Sequence, residues 1–299
     1  MQYKHLGRSD LKISTISFGC MSLATATPGE SIRLLNDALH QGINYFDTAD
    51  LYDQGENEKL VGKAFLGKRH QVILATKVGN QWRPDGSGWD WNPRKEYILQ
   101  AVEGSLQRLQ TDYLDLYQLH GGTLDDPIDE TMEAFEILKK QGKIRYYGIS
   151  SIRPNVIREY VKRSQIVSVM MQYSLLDRRP EETVLDLLQG NQIGVLARGG
   201  LAQGLLAGKP AKNYLNYSEA EVKKVVEAVK NPLIPNRTAT VTTIQYVLDH
   251  PAVTSAVLGI RTTNQLQEAL HINSSEVLSK EEVRYLKKLL VPNKYEQHR

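Results

Sequence analysis

Gly42-Ile-Asn-Tyr-Phe-Asp47-Thr-Ala-Asp-Leu-Tyr52, Val72-Ile-Leu-Ala-Thr-Lys77 and Tyr113-Leu-Asp-Leu-Tyr-Gln-Leu-His120 share one pattern. In each, a short run rich in β-branched, aromatic and leucine residues stops at an ionisable side chain. Buried parallel strands do this when they deliver polar groups to one end of a sheet. If the three runs lie side by side, Asp47, Tyr52, Lys77 and His120 converge there. Such a set suits proton transfer from a tyrosine to a carbonyl oxygen, because an ammonium stabilises a phenolate and a carboxylate keeps a buried ammonium charged.

Outward from these runs, strand-like and helix-like segments alternate. Residues 16–19 form the first strand, followed by a helix with Ile32, Leu35 and Leu39 at helical spacing that closes near Gly42. The second unit has a strand at 44–46 and a helix to about Phe65, and the third a strand at 72–76 and a helix bearing Ile98, Val102 and Leu109. Strand four, 114–119, leads to a helix with Met132, Phe135 and Leu138 that stops near Gly142. Residues 144–150, 166–172, 194–197 and 255–259 supply strands five to eight. Eight alternating units at this length predict an α/β fold, a (β/α)8 TIM barrel spanning 1–299 as one domain. A hairpin over 3–13, turning at 7–10, precedes it, and extra helices are predicted near 237–249 and 280–289. A doubly wound sheet is the runner-up, but no Gly-x-Gly-x-x-Gly follows any strand and no Gly-x-x-x-x-Gly-Lys-Ser/Thr occurs.

The bulk numbers exclude several function classes. The chain has 299 residues, 41% hydrophobic and 24% charged, with a net charge of +3 and no clustered basic face, so no nucleic-acid partner is expected. The N-terminus has no apolar segment of the secretory kind and no apolar run approaches a membrane span of about 18 residues, so neither a targeting segment nor a membrane association is expected. A single cysteine, Cys20, forms no internal disulfide and fits a reducing, cytoplasmic setting. Seven histidines without a His-x-x-x-His pair make no metal site. Two long loops, 79–93 with Trp82, Trp89 and Trp91, and 205–236 around a helix near 218–230, follow strands and would wall the C-terminal mouth.

Asp-Thr-Ala-x-x-Tyr within 42–52, Thr76-Lys77, Leu119-His120, Gly148-Ile-Ser-Ser151 and Gln172-Tyr173 run in order along nearly the whole chain. Together they resemble the signature series of the aldo-keto reductases, in a bacterial branch of that family. The resemblance implies a barrel that binds NADPH/NADP+ without a Rossmann motif and reduces a small-molecule aldehyde or ketone. Tyr52 would be the general acid, Lys77 and Asp47 its charge partners, and His120 the group that orients the carbonyl.

The resemblance also implies the cofactor contacts. Ser150, Ser151 and Gln172 would hold the nicotinamide carboxamide, with Gly19, Cys20, Met21 and Asp47 nearby. Gly259, Arg261, Thr263 and Gln265 lead from strand eight into a helix whose N-terminus suits an anion, and Arg261 suits a 2′-phosphate, so NADPH is favoured over NADH. Along Arg198, Gly199 and Leu201 the chain departs from the family, which usually sets an aromatic ring against the nicotinamide where Arg198 stands. Ser151 and Ala269 occupy positions where asparagine is common.

Two other functions compete. The same fold resembles NADPH-binding channel β subunits, which regulate a membrane partner, and a barrel lyase would use Lys77 as a Schiff-base amine. The intact four-residue set argues for turnover, and Asp47 would keep Lys77 protonated against Schiff-base chemistry. The sequence names neither a physiological substrate nor an oligomeric state.

Overall fold

The structure, a computed structural model, describes residues 1–25, 27–230 and 237–299. The chain starts with an antiparallel hairpin, β1 (Tyr3–His5) and β2 (Lys12–Ser14), followed by β3 (Ile16–Gly19), α1 (Pro28–His40), β4 (Tyr45–Asp47), α2 (Glu56–Ala64) and β5 (Ile73–Val78). A second hairpin, β6 (Asn80–Trp82) and β7 (Trp89–Trp91), precedes α3 (Lys95–Leu109) and β8 (Leu114–Leu119). Then come α4 (Ile128–Lys140), β9 (Ile144–Ser150), α5 (Pro154–Arg163), β10 (Ser168–Gln172), α6 (Val184–Gly190) and β11 (Gly194–Arg198). The described chain ends with α7 (Glu219–Val229), α8 (Ala239–Asp249), β12 (Val253–Gly259), α9 (Thr263–Ser274) and α10 (Lys280–Lys288).

Eight strands close into a parallel barrel in the order β10-β11-β12-β3-β4-β5-β8-β9, as predicted, and the doubly wound alternative falls away. Successive residues of a strand face opposite sides, so every strand splits its side chains between the barrel interior and the helical ring. Phe46, Leu74, Tyr117 and Ile149 face outward into the layer beneath the helices. Tyr45, Ala75, Leu116, Met170, Leu196 and Val257 face inward and form a second buried cluster with Leu6, Leu11 and Ile13 of the N-terminal hairpin. The hairpin therefore plugs the N-terminal end of the barrel. One inward step further along the strands come Asp47, Lys77, Gln118, Gln172 and Arg198, where apolar layering gives way to polar side chains at the open end.

The segment 79–93, read from sequence as a loop, is instead the β6/β7 hairpin, with Trp82 opposite Trp89 and Asn80 opposite Trp91. Cross-strand side-chain pairs hold such short strands. The helix within the second long loop is α7, while residues 231–236 at the end of that loop lie outside the described residues. Among the described residues no helix is long and apolar enough to cross a membrane.

Candidate active site

Lys77 is the centre of the site. Strand β5 carries it into the barrel, where its side chain is 1% exposed. Its ammonium donates to Asp47 Oδ2 at 2.6 Å, to the Thr48 carbonyl at 2.7 Å and to Tyr52 Oη at 3.2 Å. An ammonium has three N–H groups and all three are used. A neutral amine would leave one acceptor unfilled in a buried position, which is costly. Burial works against the charge on Lys77, yet Asp47 and the Tyr52 oxygen outweigh it and hold Lys77 above its ordinary value. Burial likewise lifts the Asp47 carboxyl, against the pull of Lys77 and of Gln118 Nε2 at 3.3 Å from Oδ1.

Tyr52 reaches this cluster by a turn of uncommon shape. Immediately after it, Asp53, Gln54 and Gly55 are all left-handed, at φ of 49°, 54° and 87°. Left-handed backbone is unfavourable for residues other than glycine, so the surroundings must enforce it. Glu58, fully buried in α2, supplies an anchor: it accepts from Thr76 of β5 and pairs with Arg108 of α3 at 2.7 Å. Arg108 in turn packs against Gly55, where a Cβ would lie 2.7 Å from its Cδ. The strand that places Lys77 and the turn that places Tyr52 are thus tied to the same buried carboxylate.

His120 follows β8, its N–H donating to Val78 at 2.7 Å, and its ring stands edge-on to Tyr52 with centroids 5.9 Å apart. Burial, Lys77 and Arg198 push its pKa down to about 3, so the imidazole is neutral at physiological pH. Its Nδ1 is buried and has no partner among the described residues, which favours the tautomer protonated on Nε2. The Trp91 ring lies against the backbone of Gly79 and of Gly121, the residue after His120: at Gly79 (φ +122°) a Cβ would meet it at 2.6 Å and at Gly121 (φ +144°) at 3.3 Å. Trp91 Nε1 donates to Asp126 at 2.9 Å, which fixes the ring.

A cavity of about 980 Å³ opens over the barrel mouth, and Asp47, Tyr52, Lys77 and His120 all line it. Ser150, Ser151, Gln172, Arg198 and Gly199 line it too, as do Gly19, Met21 and Gly259. Five expected contacts do not. Cys20 is fully buried, its thiol pushed up by burial and Asp47; the thiol donates to the Phe18 carbonyl at 3.9 Å, and the Cys20 carbonyl accepts from Asn57 at 2.9 Å. Leu201 sits behind Gly199 at the head of a short helical turn. Arg261, Thr263 and Gln265 lie beyond the rim, at the start of α9, where Thr262 caps the helix through the Gln265 N–H at 3.2 Å. Ala269 is buried in the core side of the same helix. Trp89 and Trp91 line the cavity and Trp82 does not.

Sequence reasoning missed Gln118, Asn80, Gln203 and Arg153. Gln118 shares the phase of His120, two residues away in an otherwise apolar strand, and that spacing was a usable signal. Arg153 and Gln203 enter the cavity from irregular segments whose path no periodicity reports.

A sequence profile described as the Aldo/keto reductase family matches residues 15–291. The chain is 50% identical over 308 residues to the "Uncharacterized oxidoreductase YqkF" of Bacillus subtilis (strain 168), covering 100% of both. It is 30% identical over 306 residues to the "NADH-specific methylglyoxal reductase" of Escherichia coli (strain K12), covering 91% of this chain and 94% of that one. Among solved structures, aldo-keto reductase AKR11C1 from Bacillus halodurans in its holo form superposes with a TM-score of 0.95 at 50% identity, covering 100% of this chain and 99% of the other. The barrel, the ordered strand-end residues and these matches along the chain agree: the protein belongs to the aldo/keto reductase family of oxidoreductases.

Proposed function

We propose that the protein reduces aldehydes or ketones to alcohols with NADPH, Tyr52 acting as the proton donor. The observation that carries this reading is the third hydrogen bond of Lys77. Because Nζ donates to Tyr52 Oη at 3.2 Å, the phenol's own proton is left for a group in the cavity. When bound, a reduced nicotinamide supplies the hydride that adds to the carbonyl carbon. Tyr52 gives its proton to the carbonyl oxygen, which completes the alcohol, and Lys77 stabilises the phenolate left behind. Asp47 keeps Lys77 charged, and solvent entering the cavity returns the proton. His120, neutral with one N–H, donates to the carbonyl oxygen as negative charge develops there. A Schiff-base role for Lys77 is disfavoured by the same contacts, since that chemistry needs a free amine.

The donor set fits a nicotinamide dinucleotide. Ser150 and Gln172 stand on adjacent strands beside the four-residue cluster and suit a carboxamide. Ser151 Oγ already accepts from the Arg153 N–H at 3.2 Å, so its part is the smaller one. Gly259 leads from the cavity to the first turn of α9, whose Thr263 and Asn264 N–H groups have no partner among the described residues and, with Arg261, suit a phosphate. A relative named as NADH-specific shows that membership of the family does not set the choice of cofactor. Arg261 supports the 2′-phosphate. Titration with NADPH and NADH tests this: the expected result is at least about tenfold tighter NADPH binding, lost in Arg261→Ala. Equal affinities in the unaltered protein would remove the assignment. The lone cysteine fits a reducing, cytoplasmic setting.

A further inference from the structure

We propose that Arg153 recognises a carboxylate on the substrate, so that the preferred carbonyl compounds are aldehyde or keto acids rather than neutral aldehydes. This rests on the reductase reading and narrows it. Arg153 is the residue that caps α5 after β9, and its half-buried side chain lines the cavity. Its Nη1 donates to the carbonyl of Gly122, two residues beyond His120. That single tether holds the guanidinium beside the loop that carries the carbonyl-orienting histidine. The remaining side-chain donors, on Nε and Nη2, have no partner among the described residues. A guanidinium presents its N–H groups as a planar fork that matches a carboxylate.

Charge balance points the same way. Among the described residues lining the cavity Asp47 is the only acid, and Lys77 neutralises it. Arg153 and Arg198 make no ion pair among the described residues. Arg198 ends β11 opposite Gln172, on the side assigned to the nicotinamide, whereas Arg153 lies on the side of Gly121 and Gly122. The carboxylate that shares this loop, Asp126, is turned to Trp91 Nε1 at 2.9 Å and to the Thr123 N–H and hydroxyl at 2.7 and 2.9 Å, and makes no ion pair with Arg153. A guanidinium without a counter-ion in a half-enclosed cleft attracts an anion to that place, and the pairing is charge-assisted and directional.

The test compares acids with their own methyl esters. Steady-state kcat/KM with NADPH is measured for 4-oxobutanoate and for 4-formylbenzoate, each beside its ester, in the unaltered protein, Arg153→Met and Arg153→Lys. The acid is expected to exceed its ester by at least about tenfold in one pair or both. Arg153→Met should remove most of that ratio, and Arg153→Lys should keep part of it, because the charge survives without the fork. The preference should also shrink between about 20 and about 300 mM salt. A variant that folds poorly loses both rates together, so its ratio still reports the site. Acid and ester turned over equally in both pairs, or an acid preference unchanged in Arg153→Met, overturns the proposal while leaving the reductase reading intact. No turnover of any of the four compounds overturns both.

Discussion

Lys77 Nζ lies 2.6 Å from Asp47 Oδ2, with both side chains almost fully buried. Removing one member of a buried ion pair leaves an uncompensated charge, which destabilises a protein by about 3–5 kcal/mol. Lys77→Met and Asp47→Asn should therefore each lower the midpoint of urea unfolding, and the double substitution should cost less than the sum of the two. Additive losses in that cycle would show that the pair does not act as a unit.

The neutral His120 gives stability a pH dependence of defined sign. Its folded pKa lies near 3, below the usual value of about 6.5 for an unfolded chain. Above pH 6.5 neither state binds the proton and the contribution is nil. As pH falls, the unfolded chain takes up a proton that the folded state refuses, so stability declines between about pH 6.5 and about pH 3. At pH 5 this group alone costs about 2 kcal/mol. His120→Gln should flatten the difference between unfolding at pH 7 and pH 5 by that amount, and an unchanged difference would mean the imidazole is not held neutral.

Arg198 stands at the end of β11 opposite Gln172, on the side of the cavity proposed for the nicotinamide, and makes no ion pair among the described residues. A guanidinium there repels the cationic ring of the oxidised cofactor but not the neutral ring of the reduced one. Arg198→Tyr should therefore tighten NADP+ relative to NADPH, measured as the ratio of their dissociation constants. A ratio equal to that of the unaltered protein rules out an electrostatic bias toward reduction.

Gly79 and Gly142 separate a ring contact from backbone strain. Both have positive φ, +122° and +73°, but a Cβ on Gly79 would meet Trp91 at 2.6 Å while nothing lies within 4 Å of one on Gly142. Gly142→Ala should cost about 1 kcal/mol through its backbone alone and leave carbonyl reduction intact. Gly79→Ala should cost more and lower kcat/KM, because the displaced ring lines the cavity. Equal effects of the two substitutions would take Trp91 out of the cavity wall.

How far the site is legible in sequence depends on what positions each residue. Asp47, Lys77 and His120 end apolar strands, and period-two alternation sends them into the barrel together, so a pattern of residues reports a place in space. Tyr52 depends on a left-handed turn over Asp53 and Gln54 that no propensity predicts, since neither residue is a glycine. The β6/β7 hairpin escapes detection because its three-residue strands pair through Trp82, Trp89 and Trp91 outside the barrel core, with little apolar alternation to mark them. Cys20 and Leu201 belong to segments that approach the cavity while their own side chains pack away from it, a distinction the one-dimensional pattern does not carry.

The central claim is that the Tyr52 phenol delivers the proton to the carbonyl oxygen. Tyr52→Phe keeps the ring and removes only that hydroxyl, so the direct measurement is its rate of aldehyde reduction, followed by NADPH absorbance, beside its dissociation constant for NADPH. Loss of kcat by a factor of about 10² to 10⁴ with NADPH binding preserved is the predicted result. Reduction at close to the unaltered rate would contradict it.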